Sequence, residues 1–194
     1  MIDADILQGI IRVDQSAINT GALILACCRA DLKGFEIAAT IDLEMILKEK
    51  QLDMTHDFAY QTRKVIERAG KVSPDLLISL KKVKPHKLDE GAVFRDGKRV
   101  NFTNQSFWWI INRIVHSQQA KTIDDLSSII EESTRVDEGH AFVIENLNVL
   151  GPRVIAFRSN HDDPGIFYYV GLENLVIAYL DKIRKPIFDA MRTS

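Results

Sequence analysis

The sequence predicts a helix-rich α+β fold: an N-terminal helical bundle packed with a small, mainly antiparallel sheet of about five strands and a C-terminal helix. Two observations lead to this prediction. Apolar residues recur at three- and four-residue intervals through residues 3–69, as on helices that bury one face. Later, Asp96-Gly97 separates two strand-like runs within 92–102, and this dipeptide suits a tight hairpin turn.

The spacing of apolar side chains within residues 3–30 predicts a long helix, or two consecutive helices, with a wide apolar face. One stripe consists of Ile6, Ile10, Val13, Ala17, Gly21, Ile24 and Cys28. A second stripe beside it consists of Leu7, Ile11, Ile18, Ala22 and Leu25. Gly21 either bends this helix, since glycine costs about 1 kcal/mol in a helix interior, or lets a partner helix approach closely.

Three further helices are expected before residue 84. Residues 35–52 and 55–69 repeat the helical pattern, with Thr55 as an N-cap and Gly70 as the stop. Ser73 caps a short helix that has Pro74 in its first turn. We therefore assign residues 1–84 to a helical bundle part.

Residues 85–194 form the predicted α+β part, and both parts are expected to make one compact domain. The hairpin within 92–102 is followed by helices over 104–119 and 122–134. Three more strands are predicted at 140–145, 153–158 and 166–170. The last helix begins at about residue 172, and Pro186 kinks or stops it.

The charge of the chain is segregated along its length. The formal net charge is −2, and 46% of the residues are hydrophobic and 27% are charged. This composition excludes long disordered segments and a strongly cationic protein that coats nucleic acid. Residues 1–60 hold 5 basic and 10 acidic side chains, residues 61–121 hold 13 and 5, and residues 122–194 hold 7 and 12. This basic centre pairs within the fold, binds an anionic partner, or mediates self-association.

The sequence predicts a cytoplasmic protein that does not enter a membrane. Its longest apolar run, Ala22 to Cys28, is far shorter than the roughly 20 residues of a membrane helix. The N-terminus carries Asp3 and Asp5 without an early Lys or Arg, unlike a secretory signal. The adjacent cysteines, Cys27 and Cys28, cannot easily bridge each other.

The candidate catalytic residues are Asn112, Arg113 and His116, in the tryptophan-rich helix over 104–119. Asn112 and His116 are four residues apart and share a helical face, with Trp108 on the same face. His116 would act as general acid or base, and Arg113 would stabilise phosphoryl charge. In the structural alternative, Asn112 and His116 are hydrogen-bonded groups flanking a core built on the tryptophans.

A basic arm directly precedes this helix, and aromatic residues are interleaved with its cations. Its candidate phosphate-binding or nucleic-acid-binding residues are Lys81, Lys82, Lys84, Lys87, Arg95, Lys98 and Arg99. A β-ribbon of this kind can follow a phosphate backbone. Alternatively, it is a solvated hairpin whose lysines discourage edge-to-edge aggregation.

No cofactor or metal is expected. The sequence contains no Gly-x-Gly, so it lacks phosphate loops of the dinucleotide type. His161, Asp162 and Asp163 are the candidate metal ligands, but three consecutive loop residues are better explained by turn chemistry.

Two functions remain open on these observations. The first is an interaction or regulatory protein without a strong catalytic motif, which forms a homo-oligomer through the apolar stripes of residues 3–30. The alternative is a nucleic-acid-binding or RNA-processing, ribonuclease-like protein, in which Arg113 and His116 act beside the basic segment 81–99.

Overall fold

A computed structural model describes residues 3–30, 37–84, 93–95, 98–100, 105–123, 153–159 and 166–193. Its helices are α1 (Ala4–Cys28), α2 (Ile37–Ala69), α3 (Pro74–Lys81), α4 (Phe107–Val115), α5 (Leu172–Ala178), a π-helical segment (Tyr179–Arg184) and α6 (Lys185–Thr193). Its strands are β1 (Val93–Arg95), β2 (Lys98–Val100), β3 (Ser117–Ile123), β4 (Val154–Ser159) and β5 (Ile166–Gly171).

Helices α1 and α2 pack side by side in opposite directions. Near the start of α1, Gly9 accepts a hydrogen bond from Arg68 near the end of α2. Further along α1, Thr20 donates to Asp57 Oδ2 at 3.1 Å. The first predicted stripe of α1 faces this interface, and its buried members are Ile10, Ala17, Gly21, Ile24 and Cys28. The second stripe lies further outward, where Ile11 is 46% exposed.

Helix α2 is one continuous helix, so the prediction of two helices over 35–69 is wrong. Thr55 does not cap a helix start: it is buried within α2, and its hydroxyl donates to Gln51 O at 2.6 Å. A serine or threonine inside a helix can satisfy its hydroxyl on the preceding turn in this way. The predicted end is confirmed, because α2 stops at Ala69, immediately before Gly70.

Gly21 serves close approach and does not interrupt α1. A Cβ atom at this position would lie 3.1 Å from Phe58 Cε2 and 3.1 Å from Val176 Cγ1. Both neighbours are buried. The glycine therefore lets α2 and α5 pack against the same point of α1.

The helix-rich architecture and the antiparallel sheet are confirmed. Among the described strands the order is β2-β1-β5-β4-β3, with every neighbouring pair antiparallel. The first two strands flank Asp96-Gly97, as predicted for the hairpin. Strand β4 is covered on both faces, since its residues 154–157 are all buried.

The prediction of about five strands is not supported as it was made. The predicted strand 140–145 lies outside the described residues. Strand β3 instead occupies Ser117–Ile123, where helical segments were expected. This segment contains good helix formers, but pairing with β4 satisfies its backbone groups and overrides that propensity.

The C-terminal helical region begins at Leu172, as predicted, but does not stop at Pro186. The chain continues through the π-helical segment into α6, which includes Pro186. Proline lacks the N–H of a regular helical turn and clashes with the carbonyl four residues earlier. The π-helical segment, whose turns are wider, ends at Arg184, two residues before Pro186. This widening is consistent with a proline ring that fits into a helical region without ending it.

One buried cluster draws on α1, α2, α4, the sheet and the C-terminal helices. Its members include Ile10, Phe58, Ile111, Phe157 and Val176. Residues on both sides of position 84 therefore share apolar contacts, while the division of the chain at that position stays a prediction.

Candidate nucleic-acid interface

Helices α3 and α4 are connected at their adjoining ends. Ser73 caps α3, as predicted, and its side chain accepts from the backbone of Leu76. Ser106 caps α4 in the same manner, through Trp109 N. Between the two helices, Phe107 N donates to Val83 O at 2.9 Å. This bond places the end of α3 beside the first turn of α4.

Trp108 is half-buried, and two cations from different helices lie near its ring. Lys81 Nζ, from α3, is 4.7 Å from the centroid of the indole ring. The guanidinium carbon of Arg63, from α2, is 6.0 Å from it. Both distances fall within the range of cation–π attraction.

Two further aromatic and basic groups extend this surface along α2. Tyr60 is 47% exposed, and Lys64 Nζ lies 5.2 Å from its ring centroid. On the α4 side, His116 Nε2 lies 3.4 Å from Arg63 Nη1. We call the surface formed by Tyr60, Arg63, Lys64, Lys81, Trp108 and His116 the cation–aromatic face.

Glu67 offsets part of the positive charge of this face. Arg63 Nε donates to Glu67 Oε1 at 2.9 Å, and Lys64 Nζ lies 3.9 Å from Oε2. The side chains of these groups are 29–40% exposed, so solvent screens their attraction. Lys81 is exposed, and its charge together with those of Arg63 and Lys64 leaves the face basic despite Glu67.

The three candidate catalytic residues have separate surroundings. Asn112 Nδ2 donates to Trp108 O within α4, at 2.6 Å. The guanidinium carbon of Arg113 lies 4.7 Å from the Trp109 ring, which packs edge-on against Tyr168 of the sheet. His116 is the C-cap of α4 and lies beside Arg63.

His116 closes the last turn of α4. The sequence predicts that it belongs to the helix, four residues after Asn112 on a common face. In the structure α4 ends at Val115, and His116 N donates the closing bond to Asn112 O at 3.2 Å. Strand β3 begins at Ser117, so the helix predicted over 104–119 ends earlier than expected, and the imidazole of His116 lies beside Arg63 of α2.

The basic arm is described in part. Lys81, Lys82 and Lys84 are exposed at the end of α3. Arg95, Lys98 and Arg99 lie on β1 and β2, for which the backbone pairing alone is described. Lys87 lies outside the described residues, and so do the candidate metal ligands His161, Asp162 and Asp163.

The part of the chain that the structure describes contains no group of three or more His, Cys, Asp or Glu side chains able to hold a metal ion. In the same part, no helix has the length and apolar character needed to cross a membrane. Among the described residues, neither Cys27 nor Cys28 forms a disulfide, and Cys28 is buried.

The sequence-based prediction missed His56, Arg63 and Ser117. His56 Nε2 lies 3.1 Å from Ser117 Oγ, one residue beyond the His116–Arg63 contact. Burial lowers the pKa of His56 from its usual 6.5, and the nearby carboxylate of Asp53 opposes this shift. His56 and Arg63 are seven residues apart, and this spacing indicates that they share a face of α2. It does not indicate which segment of the chain contacts that face.

Comparison of the chain with models of known protein families, with curated proteins and with solved structures found no match.

Proposed function

We propose that this protein binds single-stranded nucleic acid through the cation–aromatic face. The observation that carries the proposal is the approach of Lys81 and Arg63 to the ring of Trp108, at 4.7 and 6.0 Å from its centroid. An unpaired base that stacks on an aromatic side chain contributes about 1–3 kcal/mol, while neighbouring cations hold its phosphates. A half-buried indole flanked by cations offers both kinds of contact.

The charge of the surrounding sequence supports the same partner. Residues 61–121 carry 13 basic and 5 acidic side chains, and they include both α3 and α4. Lys82 and Lys84 are exposed directly after the Lys81 contact. Basic side chains in this arrangement attract a polyanion and align its backbone.

Fluorescence anisotropy with a fluorescein-labelled oligouridylate tests the proposal. We expect salt-sensitive binding that is weakened about tenfold by Lys81→Ala. Lys182→Ala removes an exposed lysine from the π-helical segment and is the matched control. Binding that neither responds to salt nor distinguishes these variants would refute the proposed face.

The RNA-processing alternative adds cleavage to binding, with His116 as the acid or base. Incubation of the unlabelled oligouridylate, followed by gel analysis, separates the two activities. Cleavage that is lost in His116→Ala while binding remains supports RNA processing. Binding without cleavage supports a nucleic-acid-binding protein alone.

Self-association is a second candidate function, favoured by the outer surface of α1. From Gln15 to Cys28 this helix has no charged side chain, and Leu23 is 57% exposed. A long uncharged helical surface suits contact with an equally uncharged one, which a second copy of the chain provides. Ile11, one turn before Gln15 in the second apolar stripe, is also exposed and would extend the same interface toward the start of α1.

Sedimentation equilibrium tests self-association. Ile11→Glu is expected to shift the protein from dimer to monomer, because it places a charge in the apolar contact. Ile177→Glu is a closely matched control, since Ile11 and Ile177 are both 46% exposed. A monomeric parent protein, or equal effects of both variants, would contradict an interface on α1.

A further inference from the structure

Two chemically complementary side chains, 61 residues apart in sequence, meet where β3 begins beside α2. His56 Nε2 lies 3.1 Å from Ser117 Oγ, and both residues are half-buried. A serine nucleophile and its base need this kind of hydrogen-bond distance. With the imidazole proton on Nδ1, Nε2 accepts the hydrogen bond of the serine hydroxyl.

The surroundings keep His56 in its basic form near neutral pH. Burial disfavours the imidazolium and lowers the pKa of His56, while Asp53, one turn earlier on α2, acts in the opposite direction. A neutral imidazole can receive the serine proton.

A cationic group lies beside the residue that precedes Ser117. His116 immediately precedes Ser117, and its Nε2 is 3.4 Å from Arg63 Nη1. The register of β3 against β4 shifts between Ser117 and Gln119, so the start of the strand departs from regular pairing. Such an irregularity can redirect a side chain at a strand end. The guanidinium offers positive charge on the Ser117 side of α2.

We propose that Ser117 is a nucleophile, activated by His56, that accepts the acyl group of carboxylic esters. Its oxygen attacks the ester carbonyl, and the hydroxyl proton passes to His56 Nε2. The bond to the leaving alcohol then breaks, and His56 returns the proton to the alkoxide. Water, deprotonated by His56, hydrolyses the acyl-serine and regenerates the hydroxyl. The proposal does not rest on nucleic-acid binding, although Arg63 belongs to the cation–aromatic face as well.

Reaction with a fluorophosphonate probe tests the nucleophile directly. The serine oxygen would form a bond to phosphorus as fluoride leaves, and mass spectrometry of the digested protein would locate the adduct. The expected site in the unsubstituted protein is Ser117. Ser79→Ala should label as strongly as the parent protein, since Ser79 is an exposed α3 residue whose hydroxyl donates to Leu76 O.

The role of His56 has its own measurement. His56→Gln should slow fluorophosphonate labelling and p-nitrophenyl acetate hydrolysis about a hundredfold, while circular dichroism verifies the native helix content. Ser117→Ala should abolish both the adduct and the enzymatic hydrolysis, whereas Ser79→Ala should retain both. Absence of a Ser117 adduct in the folded parent protein, or labelling unaffected by His56→Gln, would overturn the proposal.

Discussion

The phenolic hydroxyl of Tyr179 donates a 2.7 Å hydrogen bond to Asp14 Oδ1, joining α1 to the π-helical segment near the C-terminus. Both residues are buried, and Arg184 Nε donates to the same carboxylate at 3.0 and 3.1 Å. Burial raises the pKa of Tyr179 above its usual 10, and Asp14 adds to this shift. The phenol consequently remains a proton donor throughout the physiological range.

Replacing Tyr179 with phenylalanine should lower the free energy of unfolding by about 2 kcal/mol. The ring still fills its site, but the carboxylate of Asp14 loses one donor in a buried position. Urea denaturation measures the difference. Asp181→Asn changes an exposed residue of the same π-helical segment and should have little effect. Equal stability of Tyr179→Phe and the parent protein would contradict a stabilising role for this bond.

Gly21→Val should lower the free energy of unfolding by about 1–3 kcal/mol, because the added atoms enter the contact with Phe58 and Val176. Ala22→Val is the adjacent control. It introduces the same β-branched side chain at an exposed position of α1. Thermal unfolding of both variants should show the larger decrease in Tm for Gly21→Val; equal decreases would argue against steric restriction at position 21.

Stability should depend on pH through His56. The fold lowers the pKa of His56. Neutral His56 therefore makes its full contribution to stability above the unfolded pKa of about 6.5. This contribution is lost as the pH falls through the lower pKa of the folded state. The neighbouring groups are Asp53, which opposes the shift, and Ser117. The urea midpoint should therefore fall between about pH 7.5 and 5.5, and less steeply in His56→Gln. Parallel curves for the two proteins would exclude His56 as a source of the pH dependence.

The salt dependence of oligouridylate binding should identify a phosphate contact at Lys81. For single strands, each neutralised phosphate contributes about 0.7 to the slope of log affinity against log salt concentration. Lys81→Ala should reduce the magnitude of the measured slope by about this amount, while Lys182→Ala should retain the parent slope. An unchanged slope in Lys81→Ala would place the phosphates elsewhere.

The amino-acid pattern predicts much of the helical framework for identifiable physical reasons. Apolar spacing indicates the buried stripe of α1, and Ser73-Pro74 and Gly70 indicate local helix boundaries. The same local information fails at β3, where the decisive partner is β4, more than 30 residues later in sequence. The helical spacing of apolar residues within 104–119 therefore predicts a helix that is too long, whereas α4 ends at Val115.

The candidate site was predicted in part. Lys81, Trp108 and His116 stand out by residue type. The proximity of Trp108 and His116 to Arg63, and of Lys81 to Trp108, depends on the packing of α3 and α4 against α2. Arg113 and His116 look like near neighbours on a continuous helix. In the structure their surroundings differ, because Arg113 lies against Trp109 and His116 lies beside Arg63.

By itself, the sequence determined the helix-rich character of this protein, the buried stripe of α1 and the basic centre of the chain, because local spacing and side-chain charge specify these properties. The tertiary structure decided which distant groups meet: Asp14 with Tyr179, His56 with Ser117, and Arg63 with His116. Hydrogen bonds and ion contacts act over a few ångströms, so helix packing and strand register must first bring these residues within reach.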